Sequence, residues 1–259
     1  MDELTHDDFQ NFIESYKKGC YVDEYRNVHR FYDTVTELSR SGDEREDPLI
    51  TNSQKMYGLD WIVKASKLSK HPPKSTDALF IRQNEDGILS LHLIEFKFIG
   101  KKSHRDKMNI LWRDIRRKLP CDDCDFMEDE CFDEFFVKDF KLIKRQFKDP
   151  VEISLQLKPY EVVFITLPKL YEEYCNENGI PKKDIKAYLA KIDKYYWAFV
   201  GSRSQSEYSL KSRISRFNNY NRRLEMTIFK KARAKPWQRF GDVLNNEILG
   251  NFNFGEFNE

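Results

Sequence analysis

The sequence predicts an α/β fold in which a mixed β-sheet core is flanked by helices, with extra helices near both ends of the chain. Three observations lead to this class. Residues 75–100 form a predicted tight β-hairpin, the apolar runs at 161–167 and 195–200 are typical of strands, and helical periodicity fills the segments around them. With 259 residues the chain can bury one substantial core, and we expect a single domain over residues 1–259.

Two helices are predicted before the hairpin. The first covers residues 28–38, where apolar or aromatic side chains recur at helical spacing, and it ends before Gly42. The second covers residues 52–68 and is broken by the His-Pro-Pro sequence at 71–73.

The hairpin has two predicted strands, at 78–81 and 89–99, because both segments are rich in apolar, β-branched and aromatic residues. The turn sequence Asn-Glu-Asp-Gly between them suits a three-residue loop with Gly87 in the left-handed conformation. In that register Asn84 pairs with Ile88, and the numbers of paired residues have a constant sum. A slip of one residue would change the partner at every position.

The hairpin register brings three ionisable side chains together at one end. Asp77 lies directly opposite Glu95, and Lys97 shares the face of Glu95 because side chains alternate along a strand. Two facing carboxylates repel unless a cation separates them, and one lysine offsets only part of that repulsion. Mg²⁺ accepts such a pair and completes its shell with waters and a substrate phosphate. The residues therefore predict metal-assisted phosphodiester hydrolysis, in which Lys97 orients the attacking water or stabilises the developing charge.

The same residues make the chain resemble the PD-(D/E)xK nuclease superfamily. Asp77 matches the first acid of that motif, although Thr76 stands where the proline would be. Glu95, Phe96 and Lys97 match the second element, and the apolar run before them is similar to the central strand of that family. The resemblance implies a restriction-endonuclease-like core, with a helix before a three-stranded meander and then a helix and a fourth strand. It also implies hydrolysis of DNA, less often RNA, with Mg²⁺ or Mn²⁺ as cofactor.

The Glu-x-Lys sequence occurs once in the chain, inside its most strand-like segment. The related Asp-x-Lys sequence occurs at Asp139 and Asp184, in charged stretches without an apolar strand before them. The simpler interpretation of the motif is a solvated hairpin end with a cross-strand salt bridge.

The resemblance extends to side chains outside the hairpin. It implies a further metal ligand on the helix before the meander, where Glu37 or Asp33 could serve, unless these acids only face solvent. Gln156 and Tyr160 match the Gln-x-x-x-Tyr element of RecB-type members, although Pro159 between them disfavours a continuous helix. Gln156 would then contact the substrate or organise the site, and its alternative is an ordinary polar helix residue.

A cysteine-containing acidic segment covers about residues 120–135. Cys121, Cys124 and Cys131 have the close spacing of thiolate ligands, and Cys175 or a histidine could supply a fourth. The segment also contains 8 acids and no basic residue, which is unusual around a structural zinc. A metal site and an acidic surface insertion with incidental thiols both stay open.

The chain then continues the α/β pattern. Residues 152–158 are predicted as a short helix and 161–167 as the fourth strand of the core. Helices at 168–178 and 182–192 and a strand at 195–200 follow.

The last part of the chain, from about residue 202, is basic and helical in pattern. A helix over 206–235 would place apolar residues on one stripe and basic residues around the rest. Residues 202–239 hold 11 bases against 2 acids, whereas the first 50 residues hold 13 acids against 6 bases. We expect four arginines of this helix to contact nucleic-acid phosphates, namely Arg213, Arg216, Arg222 and Arg223. The alternative is a solvated basic face.

Whole-chain charge is nearly balanced, with 44 basic and 43 acidic residues, so net charge alone predicts no polyanionic partner. The N-terminal sequence has no apolar signal region, and no segment approaches the ~18 apolar residues of a membrane span. We therefore expect a cytoplasmic protein, with its 5 cysteines reduced.

The sequence favours a metal-dependent nuclease that uses Asp77, Glu95 and Lys97 and acts on nucleic acid, DNA before RNA, with Mg²⁺ or Mn²⁺. The main alternative is a non-catalytic nucleic-acid-binding or assembly protein on the same fold. A module that binds metal through its cysteines is a third. The oligomeric state stays open.

Overall fold

The computed structural model describes residues 3–40, 48–66, 68, 73, 75–83, 89–98, 150–201 and 207–250. Contacts divide the chain into two units, one formed by residues 1–99 with 158–259 and the other by residues 100–157. The sheet described below belongs to the first unit, and of the second the structure describes residues 150–157. The acidic cysteine segment at 120–135 lies outside the described residues. Its two interpretations and the single-domain expectation stay predictions.

The strands of the chain form two sheets. A small sheet pairs β1 (Cys20–Val22) with β2 (Val28–Arg30). The other strands are β3 (Tyr32–Thr34), β4 (Lys55–Tyr57), β5 (Ala78–Gln83), β6 (Leu89–Phe98), β7 (Asp193–Gly201) and β8 (Lys231–Pro236). In the described part of the chain, these six form one sheet in sequence order, antiparallel from β3 to β6 and parallel from β6 to β8.

Helices surround this sheet and lie near both ends of the chain. Their bounds are α1 (His6–Glu14), α2 (Val35–Leu38), α3 (Leu59–Ala65), α4 (Pro150–Glu161), α5 (Leu167–Asn178), α6 (Ile185–Lys191), α7 (Glu207–Thr227) and α8 (Phe240–Val243). The prediction of an α/β protein with a mixed sheet flanked by helices is confirmed. Among the described helices, none has the length and apolar character needed to cross a membrane.

The predicted hairpin is confirmed in its strands and in its register. β5 and β6 pair antiparallel, with Ala78 opposite Ile94. The next position along this register places Asp77 opposite Glu95, as the sequence predicts. The turn residues 84–88 lie outside the described part of the chain.

The helix predicted over residues 28–38 is wrong for most of its length. β2 and β3 occupy its first part, and the short helix α2 forms at its end. The apolar residues of this segment do not share one buried face as they would on a helix. Val28 is 64% exposed on the small sheet, whereas Val35 is fully buried in the core. The helix predicted at 52–68 is shortened to α3, because β4 forms before it and pairs with β3 and β5.

The segment 161–167, predicted as the fourth strand, is helical instead. It contains a π-helical turn, Val162–Thr166, that joins α4 directly to α5. Val162, Val163 and Thr166 are buried in this helical conformation, so tertiary context overrides their strand preference. The strand beside β6 is β7, which confirms the strand predicted at 195–200. The helices predicted at 168–178 and 182–192 are confirmed in α5 and α6.

Two predicted helices have different ends from those expected. The helix at 152–158 is confirmed within α4, but α4 continues through Pro159, so the expected break there is wrong. A π-helical turn, Val162–Thr166, follows directly after α4. The helix at 206–235 is confirmed in α7, although its last part forms β8, where buried Ala232 and Ala234 alternate with basic residues at strand spacing.

The two faces of the central strands carry different side chains. On one face, called the core face, residues of β5, β6 and β7 join a buried apolar cluster with residues of α2 and α8. The opposite face, called the site face, carries Asp77, Glu95, Lys97 and Tyr196, because side chains alternate along each strand. Glu95 is only 1% exposed. A buried carboxylate is costly unless it is paired, so its neighbours decide what this face can do.

Candidate active site

The acid pair consists of Asp77, which directly precedes β5, and Glu95 on β6. Asp77 is fixed across the hairpin, because its Oδ2 accepts a hydrogen bond from the backbone N–H of Phe96 over 2.6 Å. This bond holds the Asp77 carboxylate beside the residue that follows Glu95. The two predicted metal ligands are therefore brought together, as the hairpin register indicates.

A lysine that the sequence did not indicate lies against this pair. Lys158, on α4, donates from Nζ to both carboxylate oxygens of Glu95, over 2.7 Å to Oε1 and 2.9 Å to Oε2. The Lys158 side chain is 15% exposed, so most of it is withdrawn from water. The buried charge of Glu95 is thus offset by an ammonium from a helix 63 residues further along the chain.

The charges around the acid pair change how its members bind protons. Burial, followed by the charge of Glu95, raises the pKa of Asp77 to about 7, while the Lys158 ammonium opposes the rise. Burial acts against the charge of Lys158, but attraction to Glu95 and Asp77 raises the pKa of its ammonium above the usual value. Asp77 therefore keeps a proton more readily than an ordinary aspartate, and Lys158 remains a cation.

A third acid, Asp60, lies in the first turn of α3. Its Oδ1 accepts from the Ser75 hydroxyl over 2.7 Å, and its Oδ2 lies 2.9 Å from the Lys64 ammonium. Burial opposes ionisation, but Lys64 and the Ser75 hydroxyl lower the pKa of Asp60 overall. Asp60 also raises the pKa of Asp77, so its charge reaches the acid pair.

The structure does not bring the predicted helix acids to this pair. Glu37 is on α2, where its carboxylate bonds to the Arg40 guanidinium over 2.9 and 3.2 Å near the surface. α2 packs on the core face, whereas the acid pair is on the site face. Asp33 lies on β3, and its Oδ1 accepts from the backbone N–H of Thr34. Asp60 lies on α3, between β4 and β5, and its charge raises the pKa of Asp77.

Lys97 is half-buried on the site face, two residues after Glu95 on β6. Its side chain makes no ion pair or hydrogen bond with any residue that the structure describes. The two lysines of the site therefore differ. Lys158 is bound to Glu95, whereas Lys97 has no ion pair or hydrogen bond from its side chain among the described residues.

Tyr196 lies on β7 beside Leu93 and is fully buried. Its hydroxyl has no hydrogen-bond partner among the described residues. Burial and then the charges of Glu95 and Asp77 raise the pKa of this phenol, so the hydroxyl lies within the field of the acid pair. A buried hydroxyl near two carboxylates is an additional donor for this site.

The donor set fits a hard divalent cation under one condition. Within the described ranges, no group of three or more His, Cys, Asp or Glu side chains is placed to hold a metal ion. Mg²⁺ needs fewer, because it keeps several waters and binds through one or two carboxylates plus phosphate oxygens. Asp77 has one oxygen beyond that bonded to Phe96, but both Glu95 oxygens contact Lys158. The pair therefore fits Mg²⁺ or Mn²⁺ when Lys158 yields at least one Glu95 oxygen.

The predicted substrate-binding residues lie on two helices. Gln156 is on α4, and its side chain is outside the described part of the structure. The four arginines are on α7, which packs on β8 at the end of the sheet. Arg213 is half-buried, whereas Arg216, Arg222 and Arg223 are exposed.

No local signal marked Lys158, because it is distant in sequence and its partner is reached only through the fold. Asp60 had a weak signal as an acid in the first turn of the helix before β5. Comparisons of the chain with family models, curated proteins and solved structures give no match.

Proposed function

We propose that the chain is a metal-dependent nuclease that hydrolyses phosphodiester bonds, with DNA preferred over RNA. The observation that supports it most is the acid pair Asp77 and Glu95, opposed across β5 and β6 with Lys97 and Lys158 near it. A meander that ends in β6, followed by helices and the parallel strand β7, supports a restriction-endonuclease-like core and the resemblance to PD-(D/E)xK nucleases.

The side chains of the site have separate roles in this proposal. A bound Mg²⁺ or Mn²⁺ supplies polarisation of the phosphate and a more acidic water. Asp77 and Glu95 hold the ion, and the Phe96 N–H keeps the Asp77 carboxylate oriented. Lys97 orients the attacking water or stabilises negative charge on the phosphate oxygens, since its ammonium has no partner among the described residues.

Lys158 is a positioning residue in the same scheme. It holds the Glu95 carboxylate in one orientation and offsets its charge while no other cation is bound. An ammonium and a divalent cation compete for the same carboxylate oxygens. Binding of the ion therefore requires Lys158 to move or to give up one of its two bonds to Glu95.

Cleavage assays with an isosteric variant test the proposal. Labelled single-stranded and double-stranded DNA and RNA are incubated with the chain in Mg²⁺, Mn²⁺ or EDTA. We expect metal-dependent cleavage of at least one substrate, and its loss in Asp77→Asn, which retains an oxygen for the Phe96 N–H but lacks the charge. Glu37→Gln removes an exposed carboxylate from the other face and is expected to cleave normally. Full cleavage by folded Asp77→Asn would refute the proposed role of the acid pair.

A non-catalytic nucleic-acid-binding protein on the same fold is the second candidate. The two bonds from Lys158 favour it, because they already compensate Glu95 without a metal. A thermal-shift titration separates the two candidates. In the nuclease, Mg²⁺ raises the melting temperature of the wild type more than that of Asp77→Asn. In the binding protein, the two respond alike.

A further inference from the structure

Helix α7 lies along β8, the last strand of the sheet. The Asn218 side chain joins them, because its Oδ1 accepts from the Ala234 N–H over 2.7 Å and its Nδ2 donates to the Ala234 carbonyl over 3.1 Å. The amide thereby satisfies backbone groups on the open side of an edge strand. This contact fixes the helix against the strand and forms the wall of a pocket.

The basic pocket is a cavity of about 480 Å³ between α7 and β8. Its volume is in the range of ligand sites, ~300–1,000 Å³. Four cations and three uncharged polar side chains line it: Lys211, Arg222, Arg233 and Lys235, with Ser215, Asn218 and Asn219. Of the described residues in its lining, none is acidic. The composition favours a ligand with several anionic oxygens.

Among the described residues, only part of this charge has an acidic partner. Arg233 forms an ion pair with Glu225, whose Oε1 also accepts from the Ala232 N–H over 2.8 Å. Arg222 and Lys235 make no ion pair with any described residue. Arg222 extends from the helix and Lys235 from the strand, so both walls of the cavity carry a positive charge that has no ion-pair partner among the described residues.

The pocket divides the four arginines that the sequence predicted to bind nucleic acid. Arg222 lines it, whereas Arg213, Arg216 and Arg223 do not. Those three are spaced by three and seven residues and share a neighbouring stripe of α7. Lys235 of β8, which was not among the predicted residues, lines the pocket instead.

The strand wall of the pocket is level with the acid pair along the sheet. Lys235 pairs with Phe199, which pairs with Phe96, the residue after Glu95. Two strand spacings, about 10 Å, separate these backbones. By alternation, Lys235 is on the core face and Glu95 on the site face, and both lie towards the carboxyl ends of the parallel strands β6 and β8. Ligands of open α/β sheets bind at those ends.

We infer that the basic pocket binds a backbone phosphate of a nucleic-acid strand, an inference that rests on the proposed nuclease function. The guanidinium of Arg222 and the ammonium of Lys235 bind the phosphate oxygens from opposite walls, and Ser215 and Asn219 donate further hydrogen bonds. Cations that contact phosphates supply affinity without reading sequence. The pocket therefore holds the strand, and cleavage takes place at the acid pair.

A matched pair of double variants tests the inference. Fluorescence anisotropy with a labelled single-stranded DNA in EDTA measures binding by the full chain without cleavage. We expect Arg222→Ala/Lys235→Ala to weaken binding about tenfold and to reduce the salt slope by about 0.7, because the two cations neutralise one phosphate of the strand. The control Lys169→Ala/Lys186→Ala removes the same charge from exposed positions of α5 and α6 outside the pocket, and we expect a change below about threefold. Equal losses in both variants would overturn the inference, because the effect would then be general electrostatics.

A competition experiment identifies the ligand, and a double variant that keeps both charges controls for misfolding. Unlabelled DNA should displace the probe, whereas inorganic phosphate, a nucleoside monophosphate and a polyglutamate peptide should not at similar concentration. Displacement by any of these at the concentration of the DNA would assign the pocket to that anion instead. Arg222→Lys/Lys235→Arg keeps both charges and should bind nearly as the wild type, and loss of binding in this folded variant would overturn the role of the two cations.

The inference and the proposed function fail in different ways. If the wild type cleaves DNA and the pocket variant binds DNA normally, the inference is overturned and the nuclease proposal stands. If the wild type cleaves no substrate and the pocket variant loses DNA binding, the inference is supported and the nuclease proposal is refuted.

Discussion

Replacement of Lys158 by methionine is the most direct test of how the acid pair is stabilised. Methionine is apolar and similar in length, so Lys158→Met removes the ammonium while filling most of its space. Glu95 then keeps its charge at 1% exposure without the two hydrogen bonds of 2.7 and 2.9 Å. Removing one partner of a buried pair costs about 3–5 kcal/mol, since the remaining charge is left uncompensated.

This cost should be visible as a large fall in melting temperature. For a protein of this size, 1 kcal/mol corresponds to roughly 2–4 °C, so Lys158→Met should melt about 10 °C lower in EDTA. Lys158→Met/Glu95→Gln should recover much of the loss, because no buried charge is then unpaired. The control Lys182→Met removes an exposed lysine 2.6 Å from Glu172 and should melt as the wild type does.

The same variant reports on the metal. Without its competitor, the Glu95 carboxylate should bind Mg²⁺ more tightly, so Mg²⁺ should raise the melting temperature of Lys158→Met more than that of the wild type. Circular dichroism melts with and without Mg²⁺ measure both effects. A loss below about 1 kcal/mol in Lys158→Met, or a double variant less stable than the single, would refute the buried-pair reasoning.

Two further substitutions probe neighbouring groups of the site. Tyr196→Phe removes a buried hydroxyl that has no partner among the described residues, so urea denaturation should show unchanged or slightly greater stability, by up to about 1 kcal/mol. A clear loss would show that the hydroxyl is bonded. Because the pKa of Asp77 is raised to about 7, the native protein keeps a proton that the unfolded chain loses near pH 4, and this group lowers stability as pH rises between those values. Asp77→Asn should therefore gain melting temperature relative to the wild type from pH 5 to pH 8 in EDTA, and a constant difference would contradict the raised pKa.

The hairpin could be predicted from the sequence because its determinants are local. The turn sequence sets the loop length, and alternation then fixes which residues share a face. Asp77 opposite Glu95 and Lys97 on the same face follow from that register. The strand at 195–200 and the helix within 206–235 were also correct, since each has a clear pattern of its own.

The wrong predictions concern segments whose secondary structure depends on the rest of the fold. The apolar spacing at 28–38 fits a helix as well as short strands, and pairing with β1 and β4 decides for strands. The β-branched run at 161–167 reads as a strand, but it continues a helix between α4 and α5. Lys158 could not be predicted, because its contact with Glu95 joins residues 63 positions apart.

The place of Glu95 in the sheet explains why its counter-charge comes from so far away. β6 lies between β5 and β7 and is buried along most of its length, so Glu95 has no access to bulk water and needs a cation from an element packed on the site face. Lys158 of α4 meets that need with a compact ammonium on a flexible stem, whereas an arginine would hold the carboxylate with a planar bidentate head. Under the proposed function this difference matters, because a lysine can release one oxygen to an incoming divalent ion and keep the other. The acid pair would then exchange one compensating cation for another without ever leaving Glu95 uncompensated.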